Sequence, residues 1–173
     1  HLDEKFPKNK LFPDNMFDEI VSDLAFEDSL HHDLRRLTFR YIIPHKLGKK
    51  DLKKLSFKES YKGTINGKED EHKSRELLFW KNHYNNGITD DEVIESANKF
   101  KEIYSKFDNQ LQKYKYLKGH EFTIIDLAWY VSTKRLSTAG IPINKFENVK
   151  RWFDDLEYDK RFSHEIKIDG PII

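Results

Sequence analysis

Two stretches of the sequence each specify the start of a helix by two separate signals. In both, a threonine precedes an acidic residue by three positions, so that each side chain can bond the other's backbone N–H group in a capping box. In both, an apolar residue just before the threonine is spaced to pack against one in the first turn as a hydrophobic staple. The first start comprises Ile88, Thr89, Glu92 and Val93, and the second comprises Phe122, Thr123, Asp126 and Leu127.

Apolar residues recur at three- and four-residue steps after both starts. After the first, the stripe continues from Val93 to Tyr114, with a period suited to antiparallel packing in a bundle. After the second, no glycine or proline interrupts the chain until Gly140 and Pro142, which predicts a helix over 123–139. We expect these two helices to be neighbours.

Helical periodicity also predicts upstream helices over 15–43 and 69–84 and a short helix over 146–156. The apolar stripe of the first lapses around Glu27 and Asp28, which indicates a kink or a face that leaves the core. We find no convincing strand and no internal repeat. The predicted fold class is therefore all-α, a multi-helix bundle.

An ordered string of residues extends from before the second helix start toward the end of the chain. It reads Leu117-x-Gly119-x-x-Phe122-Thr123-Ile124-x-Asp126-Leu127-Ala128, then Gly140-x-Pro142, then Val149-x-x-Trp152. This string resembles the C-terminal helical domain of cytosolic glutathione transferases, although the turn at 159–162 lacks the proline common in that family. A capping box with a staple alone would be a generic helix start, whereas the whole string is specific. The resemblance implies a bundle of the glutathione transferase C-terminal type.

The first seven residues are similar to another part of the same family. They read His1-Leu2-Asp3-Glu4-Lys5-Phe6-Pro7 and resemble the segment that closes the last helix of the thioredoxin-like N-terminal domain. The alternative is a frayed terminus followed by a proline turn. The resemblance implies that residues 1–14 are the end of a thioredoxin-like domain with its linker and that 15–173 form the helical domain. If the rest of that partner domain is absent, the helices at 15–43 and 123–139 should expose an apolar patch.

The resemblance also implies a function. In glutathione transferases the thioredoxin-like domain binds glutathione and activates its thiol, while the helical domain shapes the pocket for the second substrate. The implied parent protein is a cytoplasmic transferase that transfers glutathione to a small hydrophobic electrophile or uses glutathione to cleave one, with a homodimer as a further option. The alternative is a non-catalytic protein-docking module, as in translation-associated complexes. A third option is a ligand carrier without chemistry.

No catalytic residue is predicted within the chain. In the resembled family the helix corresponding to 15–43 borders the active-site cleft, so the resemblance implies that His31, Arg35, Thr38 and Tyr41 line the substrate pocket. The alternative is that these four are ordinary surface residues with no role in a pocket. Because His31 and its neighbour His32 would point about 100° apart on a helix, they cannot easily share a metal, and no metal is expected.

Asp126 also has two interpretations. A buried carboxylate there could be a general base, but the capping box occupies its oxygens and favours a structural anion. The sequence contains no serine nucleophile elbow, no glycine-rich phosphate loop and no HExxH motif.

Composition excludes several classes of partner and site. The chain has no cysteine, which excludes disulfides, thiolate metal sites and a cysteine nucleophile within it. A balance of 31 basic and 30 acidic residues gives no overall attraction to nucleic acid or to an anionic membrane. Seven lysines between residues 46 and 62 form a basic segment, with a short helical turn predicted over 52–57. Few aromatic side chains accompany them, so nucleic acid is not an expected partner. No apolar run approaches the roughly 20 residues that span a bilayer.

Overall fold

The computed structural model describes residues 2–5, 10–42, 64–65, 68–83 and 87–159. Within these ranges the architecture is all-α, as the periodicity predicts, apart from one pair of two-residue strands. The α-helices are α1 (Leu2–Lys5), α2 (Phe17–Ser29), α3 (His31–Tyr41), α4 (Glu71–His83), α5 (Asp90–Leu111), α6 (Ile124–Thr138) and α7 (Glu147–Glu157). The hairpin comprises β1 (Thr64–Ile65) and β2 (Lys68–Glu69), and short 3-10 turns occupy Asp14–Met16 and Ile143–Lys145.

The core is an aromatic cluster between α5 and α6. Trp129 of α6 is buried, and its ring centroid lies 4.8 Å from that of Phe107 and 6.5 Å from those of Phe100 and Tyr104 on α5. All three pairs are edge-to-face, an arrangement that adds to the energy of burial. Helices α3 and α7 pack on α5, and α2 and α3 pack on α6. The stripe on α5 thus faces its neighbours in a bundle.

Both helix starts specified by the sequence are present. At α5, the N–H of Thr89 donates to Glu92 Oε2 at 2.9 Å and the N–H of Glu92 donates to Thr89 Oγ1 at 3.3 Å. At α6, the N–H of Thr123 donates to Asp126 Oδ2 at 3.0 Å, and the Thr123 hydroxyl donates to the same oxygen at 3.2 Å. The N–H of Asp126 donates to the Thr123 carbonyl at 3.1 Å. The carboxylate therefore makes the main side-chain contribution at the second start.

The end of α6 lies at the glycine that the sequence indicates. Gly140 has a φ of +84°, and its N–H donates to the carbonyl of Ser137 at 3.0 Å. The N–H of Ile141 donates to the carbonyl of Leu136, also at 3.0 Å. This pair of bonds is the Schellman motif, which requires a left-handed residue and therefore favours glycine.

Asp126 joins three parts of the bundle. Its side chain is fully buried and accepts hydrogen bonds from the N–H of Leu117 at 2.9 Å, the N–H of Thr123 at 3.0 Å and the Trp152 indole at 3.0 Å. Burial raises the pKa of this carboxyl, while the hydrogen bonds oppose that shift. We call Asp126 with these three donors the Asp126 hub. It links the loop before α6 to α6 and α7, which is a structural role.

The prediction of one helix over 15–43 is wrong in its continuity, because the chain breaks at Leu30 into α2 and α3. The Ser29 hydroxyl donates to the carbonyl three residues earlier at 2.6 Å, a local bond that competes with the helical ladder. Glu27 is buried and accepts a 2.5 Å hydrogen bond from Ser132 of α6. The lapse in the apolar stripe therefore marks both the break and a buried polar contact.

The structure adds two strands of two residues each to the helices, at a place where no convincing strand was found in the sequence. Strands β1 and β2 pair antiparallel, with Thr64 opposite Glu69 and Ile65 opposite Lys68. The sequence between them is Asn66-Gly67, which is the strongest two-residue hairpin signal.

Other predictions fall on residues that the structure does not describe. The lysine-rich segment at 46–62, the helical turn at 52–57 and the last helical turn at 162–166 lie outside the described ranges. Within those ranges, every helix is too short or too polar to cross a membrane.

Candidate functional site

The break between α2 and α3 faces α4 across a cavity of about 210 Å³. All eight of its lining residues are polar. They are Asp28, Ser29, His31, His32 and Arg35 from the α2–α3 side and His72, Arg75 and Glu76 from α4. We call this site the charged cavity.

The two carboxylates of the charged cavity are already engaged within the chain. Asp28 Oδ1 lies 3.2 Å from His31 Nδ1, and Asp28 Oδ2 accepts from Arg75 Nη2 at 3.3 Å. Glu76 Oε1 accepts from the Trp80 indole at 2.6 Å, and Glu76 Oε2 pairs with Arg35 Nη1. Each of the four oxygens thus has a nitrogen beside it.

The cationic side chains retain donors that no described hydrogen bond uses. Arg35 engages Glu76 through Nη1, which leaves its Nη2 and Nε groups. Arg75 makes both of its hydrogen bonds through Nη2, to Asp28 and to Nδ1 of His72 at 2.8 Å. His32 makes a ring contact with Phe79 at 5.5 Å, and the described residues offer its nitrogens no hydrogen bond. The cavity is therefore rich in donors.

Positive charge near the cavity changes the pKa of His32. Burial lowers the pKa of His32, and the nearby guanidinium groups of Arg35, Arg75 and Arg36 lower it further, while Glu76 acts in the opposite direction. His32 therefore stays neutral to lower pH than an ordinary histidine.

A further cation lies close by on α6. Burial lowers the pKa of the half-buried Arg135, and the proximity of Arg35 adds to this shift, while Glu27 opposes it. None of the described residues makes a hydrogen bond or an ion pair with the Arg135 side chain. Glu27 is nevertheless near enough to raise its pKa. The field at this end of α3 therefore combines cations from three helices.

The structure brings together two of the four side chains that the resemblance assigned to a pocket. His31 and Arg35 both line the charged cavity. Thr38 is buried, and its hydroxyl donates to the carbonyl of Leu34 at 2.9 Å, so it does not face the cavity. Tyr41 is 57 % exposed at the end of α3 and is not part of the lining.

Sequence reasoning missed the contribution of α4. His72, Arg75 and Glu76 are spaced at three and four residues, so they share one face of that helix, and this spacing was a visible signal. Nothing in the spacing indicates that this face meets α3, more than 30 residues earlier in the chain. No group of three or more acidic or histidine side chains in the described part of the chain is placed to hold a metal.

Exposed apolar side chains lie on the two helices where a patch was expected. On α2, Phe17, Val21 and Phe26 are 53 %, 46 % and 49 % exposed, and on α6 Val131 is 38 % exposed. Such side chains mark surface that a further domain or chain could cover.

The comparison with protein families agrees with the all-α architecture and covers both helix starts. Residues 74–158 match the family model described as glutathione S-transferase, C-terminal domain. This part of the chain belongs to that family. The match covers both capping boxes and most of α4, whereas the α2–α3 wall of the charged cavity precedes it. In this family the helical domain is typically paired with a thioredoxin-like N-terminal domain. No curated protein and no solved structure matches the chain.

Proposed function

We propose that this chain is the helical part of a glutathione transferase-like protein and that the charged cavity shapes its pocket for the second substrate. The observation that carries the proposal is the position of His31 and Arg35 on the wall of a cavity. The resemblance assigns this role to the same helix. Glutathione itself would be bound mainly by a thioredoxin-like domain. The protein would act in the cytoplasm, as a monomer or as a homodimer.

The two domains would have different roles, because the resemblance assigns activation of the glutathione thiol to the thioredoxin-like domain. Conjugation needs a thiolate, which a hydrogen-bond donor or positive dipole beside the thiol must stabilise. The proposed helical domain would position the electrophile for attack, and the partner domain would hold the thiolate. No residue of this chain is assigned to the covalent step.

Two features support a partner domain on the N-terminal side. The exposed Phe17 and Val21 lie at the start of α2, next to the linker. Within the linker, the N–H groups of Leu11 and Phe12 donate to the two oxygens of Asp3 at 2.9 and 2.8 Å, which holds α1 against it. These contacts suit a chain that passes directly from one domain to the next.

The polar lining favours a different class of electrophile from the small hydrophobic one that the resemblance implies. A small hydrophobic electrophile would meet only polar side chains in the charged cavity and would leave their donors without partners. An electrophile with a polar group fits this lining better. The cavity is also smaller than the roughly 300 to 1,000 Å³ typical of drug-sized ligands, so it would hold a small molecule or one end of a larger one.

The proposal can be tested in the protein that carries both this chain and its thioredoxin-like domain. We expect conjugation of glutathione to a chloronitrobenzene bearing a carboxylate, with formation of the C–S bond and release of chloride. In Arg35→Gln the KM for this electrophile should rise severalfold while the KM for glutathione stays within about twofold, because of the two substrates only the electrophile is proposed to contact the lost guanidinium.

The matched control is Arg40→Gln, which removes an exposed cation of the same helix that pairs with Asp90 outside the cavity. It should leave both KM values unchanged. Absence of any conjugation would overturn the proposal and favour the docking module. Equal effects of the two variants would show that the cavity is not the substrate pocket.

A further inference from the structure

We propose that the charged cavity binds an oxyanion, either a small carboxylate or phosphate compound or the oxyanionic end of a longer molecule. As a statement about the second substrate, this rests on the proposed function. As a statement about binding, it stands on the geometry of the cavity alone.

The hydrogen-bonding inventory of the cavity defines the ligand. A bound molecule meets unused N–H groups of two guanidinium groups and of His32, whereas the oxygens of Asp28 and Glu76 are already beside nitrogens of the chain. A ligand that fits must therefore supply acceptors. Oxyanions supply several acceptors and negative charge in a compact group, and guanidinium groups bind them with paired N–H donors.

The positions of the two arginines suit such a group. Arg35 is fixed on one wall by its pair with Glu76 and by the Phe79 ring, whose centroid lies 5.0 Å beneath the guanidinium carbon. Arg75 of α4 donates to Asp28 at 3.3 Å, and its side chain is more exposed than that of Arg35. The Arg35 guanidinium is thus held in place before a ligand arrives, which reduces the entropy lost on binding.

The charge of the site supports the same ligand. Asp28 and Glu76 balance Arg35 and Arg75 in formal charge, so a proton on His32 leaves the cavity positive. His32 faces Arg35 and Arg36 on its own helix and Arg75 and Glu76 on α4, and the arginines disfavour its proton. A bound oxyanion would offset these arginines and favour protonation of His32, so binding should strengthen as the pH falls over the range in which the charge of the oxyanion is constant.

A purely structural network is the alternative. In that case the ion pairs only attach α4 to the α2–α3 break, and the unused donors face water. The two accounts differ in one observable, because a structural network has no affinity for added oxyanions beyond that of the general surface.

The experiment uses the full 173-residue chain, with inorganic phosphate and acetate as separate probes at constant ionic strength. NMR signals of the histidine rings are followed against probe concentration and pH, and His32→Gln identifies the His32 signals. We expect at least one probe to shift the His32 signals in a saturable way and to raise the pKa of His32. A response to phosphate alone would identify a phosphate group, and a response to acetate alone would identify a carboxylate.

Variants locate the site. Arg75→Gln should weaken binding of the active probe by about tenfold or more, the usual effect of losing a hydrogen bond to a charged group. Arg40→Gln should change it by less than about twofold. If Arg75→Gln fails to fold, His32→Gln serves instead, with binding followed through the ring signals of His31 and His72, and it should remove the strengthening of binding at low pH.

Two results would overturn the proposal. One is that neither probe shifts the His32 signals. The other is that Arg40→Gln weakens binding as much as Arg75→Gln, which would indicate general surface charge. The measurement needs neither glutathione nor a partner domain. Oxyanion binding can therefore be absent while conjugation is observed, and binding can be observed while conjugation is absent.

Discussion

The Asp126 hub and the charged cavity treat polar side chains in opposite ways. In the hub, one fully buried carboxylate accepts hydrogen bonds from Leu117, Thr123 and Trp152, which lie on three different segments. In the cavity, half-buried and exposed cations pair with carboxylates and still retain unused donors. The hub therefore holds the bundle together, whereas we propose that the cavity binds a ligand. Changes in the hub should then affect folding, and changes in the cavity should affect binding.

The largest effect is expected in the hub. Asp126→Ala should lower the free energy of unfolding by about 3 kcal/mol or more, because it removes a helix cap and leaves the buried N–H groups of Leu117 and Trp152 without partners. Urea unfolding followed by circular dichroism measures this. Asp91→Ala, which removes an exposed acid in the first turn of α5, should cost less than about 1 kcal/mol. Similar losses in the two variants would contradict the structural role of the hub.

The stability of the fold should decrease when a methyl group is added at the glycine that ends α6. Gly140→Ala should cost about 1 kcal/mol, since the residue has a positive φ that alanine adopts poorly. No heavy atom lies within 4 Å of the added Cβ, so the cost comes from the backbone alone. Thermal unfolding should show a lower Tm for Gly140→Ala and little change for Ser137→Ala. An unchanged Tm in Gly140→Ala would contradict the claim that the Schellman motif at Gly140 stabilises the end of α6.

The exposed capping box of α5 should depend on pH. Burial acts to raise the pKa of Glu92, but hydrogen bonds from the Thr89 N–H and from His83 outweigh it, so the net pKa is lowered. A carboxyl with a lowered folded-state pKa stabilises the fold above its ordinary value near 4.5, and this contribution disappears as the pH falls through the lowered value.

Glu92→Gln should therefore be less stable than the parent chain at pH 7, by up to about 1 kcal/mol, and this difference should shrink toward pH 3. Urea unfolding at several pH values measures it. A difference that stays constant or grows as the pH falls would show that the ionised carboxylate does not stabilise the α5 start.

The smallest effect on folding is expected at the cavity. Arg75→Gln should change the free energy of unfolding by less than about 1 kcal/mol, because the side chains of Arg75 and Asp28 are 46 % and 38 % exposed and solvent screens their pair. The same variant should weaken oxyanion binding by about tenfold. A large loss of stability without a loss of binding would reverse the roles assigned to the two regions.

The sequence predicted the α5–α7 region well because the signals there are local. Thr89 with Glu92 and Thr123 with Asp126 lie within one helical turn, so a helix start can be inferred without knowledge of the tertiary fold. The glycine at 140 is equally local. The additional bond from Trp152 to Asp126 could not be inferred, because it depends on how α7 packs against α6.

The cavity region was predicted less well because its contacts are distant in sequence. The burial of Glu27 depends on Ser132, more than 100 residues away, and the partner of Arg35 is Glu76 on another helix. Periodicity identified a lapse near Glu27 but not the break that follows it. The resemblance placed Thr38 and Tyr41 in a pocket with Arg35, although Thr38 is buried with its hydroxyl bonded to the Leu34 carbonyl and Tyr41 is exposed at the end of α3. The hairpin signal at Asn66-Gly67 was local and was overlooked.

A crystal structure of the chain grown with phosphate or acetate would test the central claim most directly. We predict an oxyanion in the charged cavity, within hydrogen-bond distance of Arg75 and of the Nη2 or Nε group of Arg35, with both arginines still paired to Glu76 and Asp28. A cavity that contains only water at saturating phosphate and acetate, with those N–H groups directed to solvent, would contradict it.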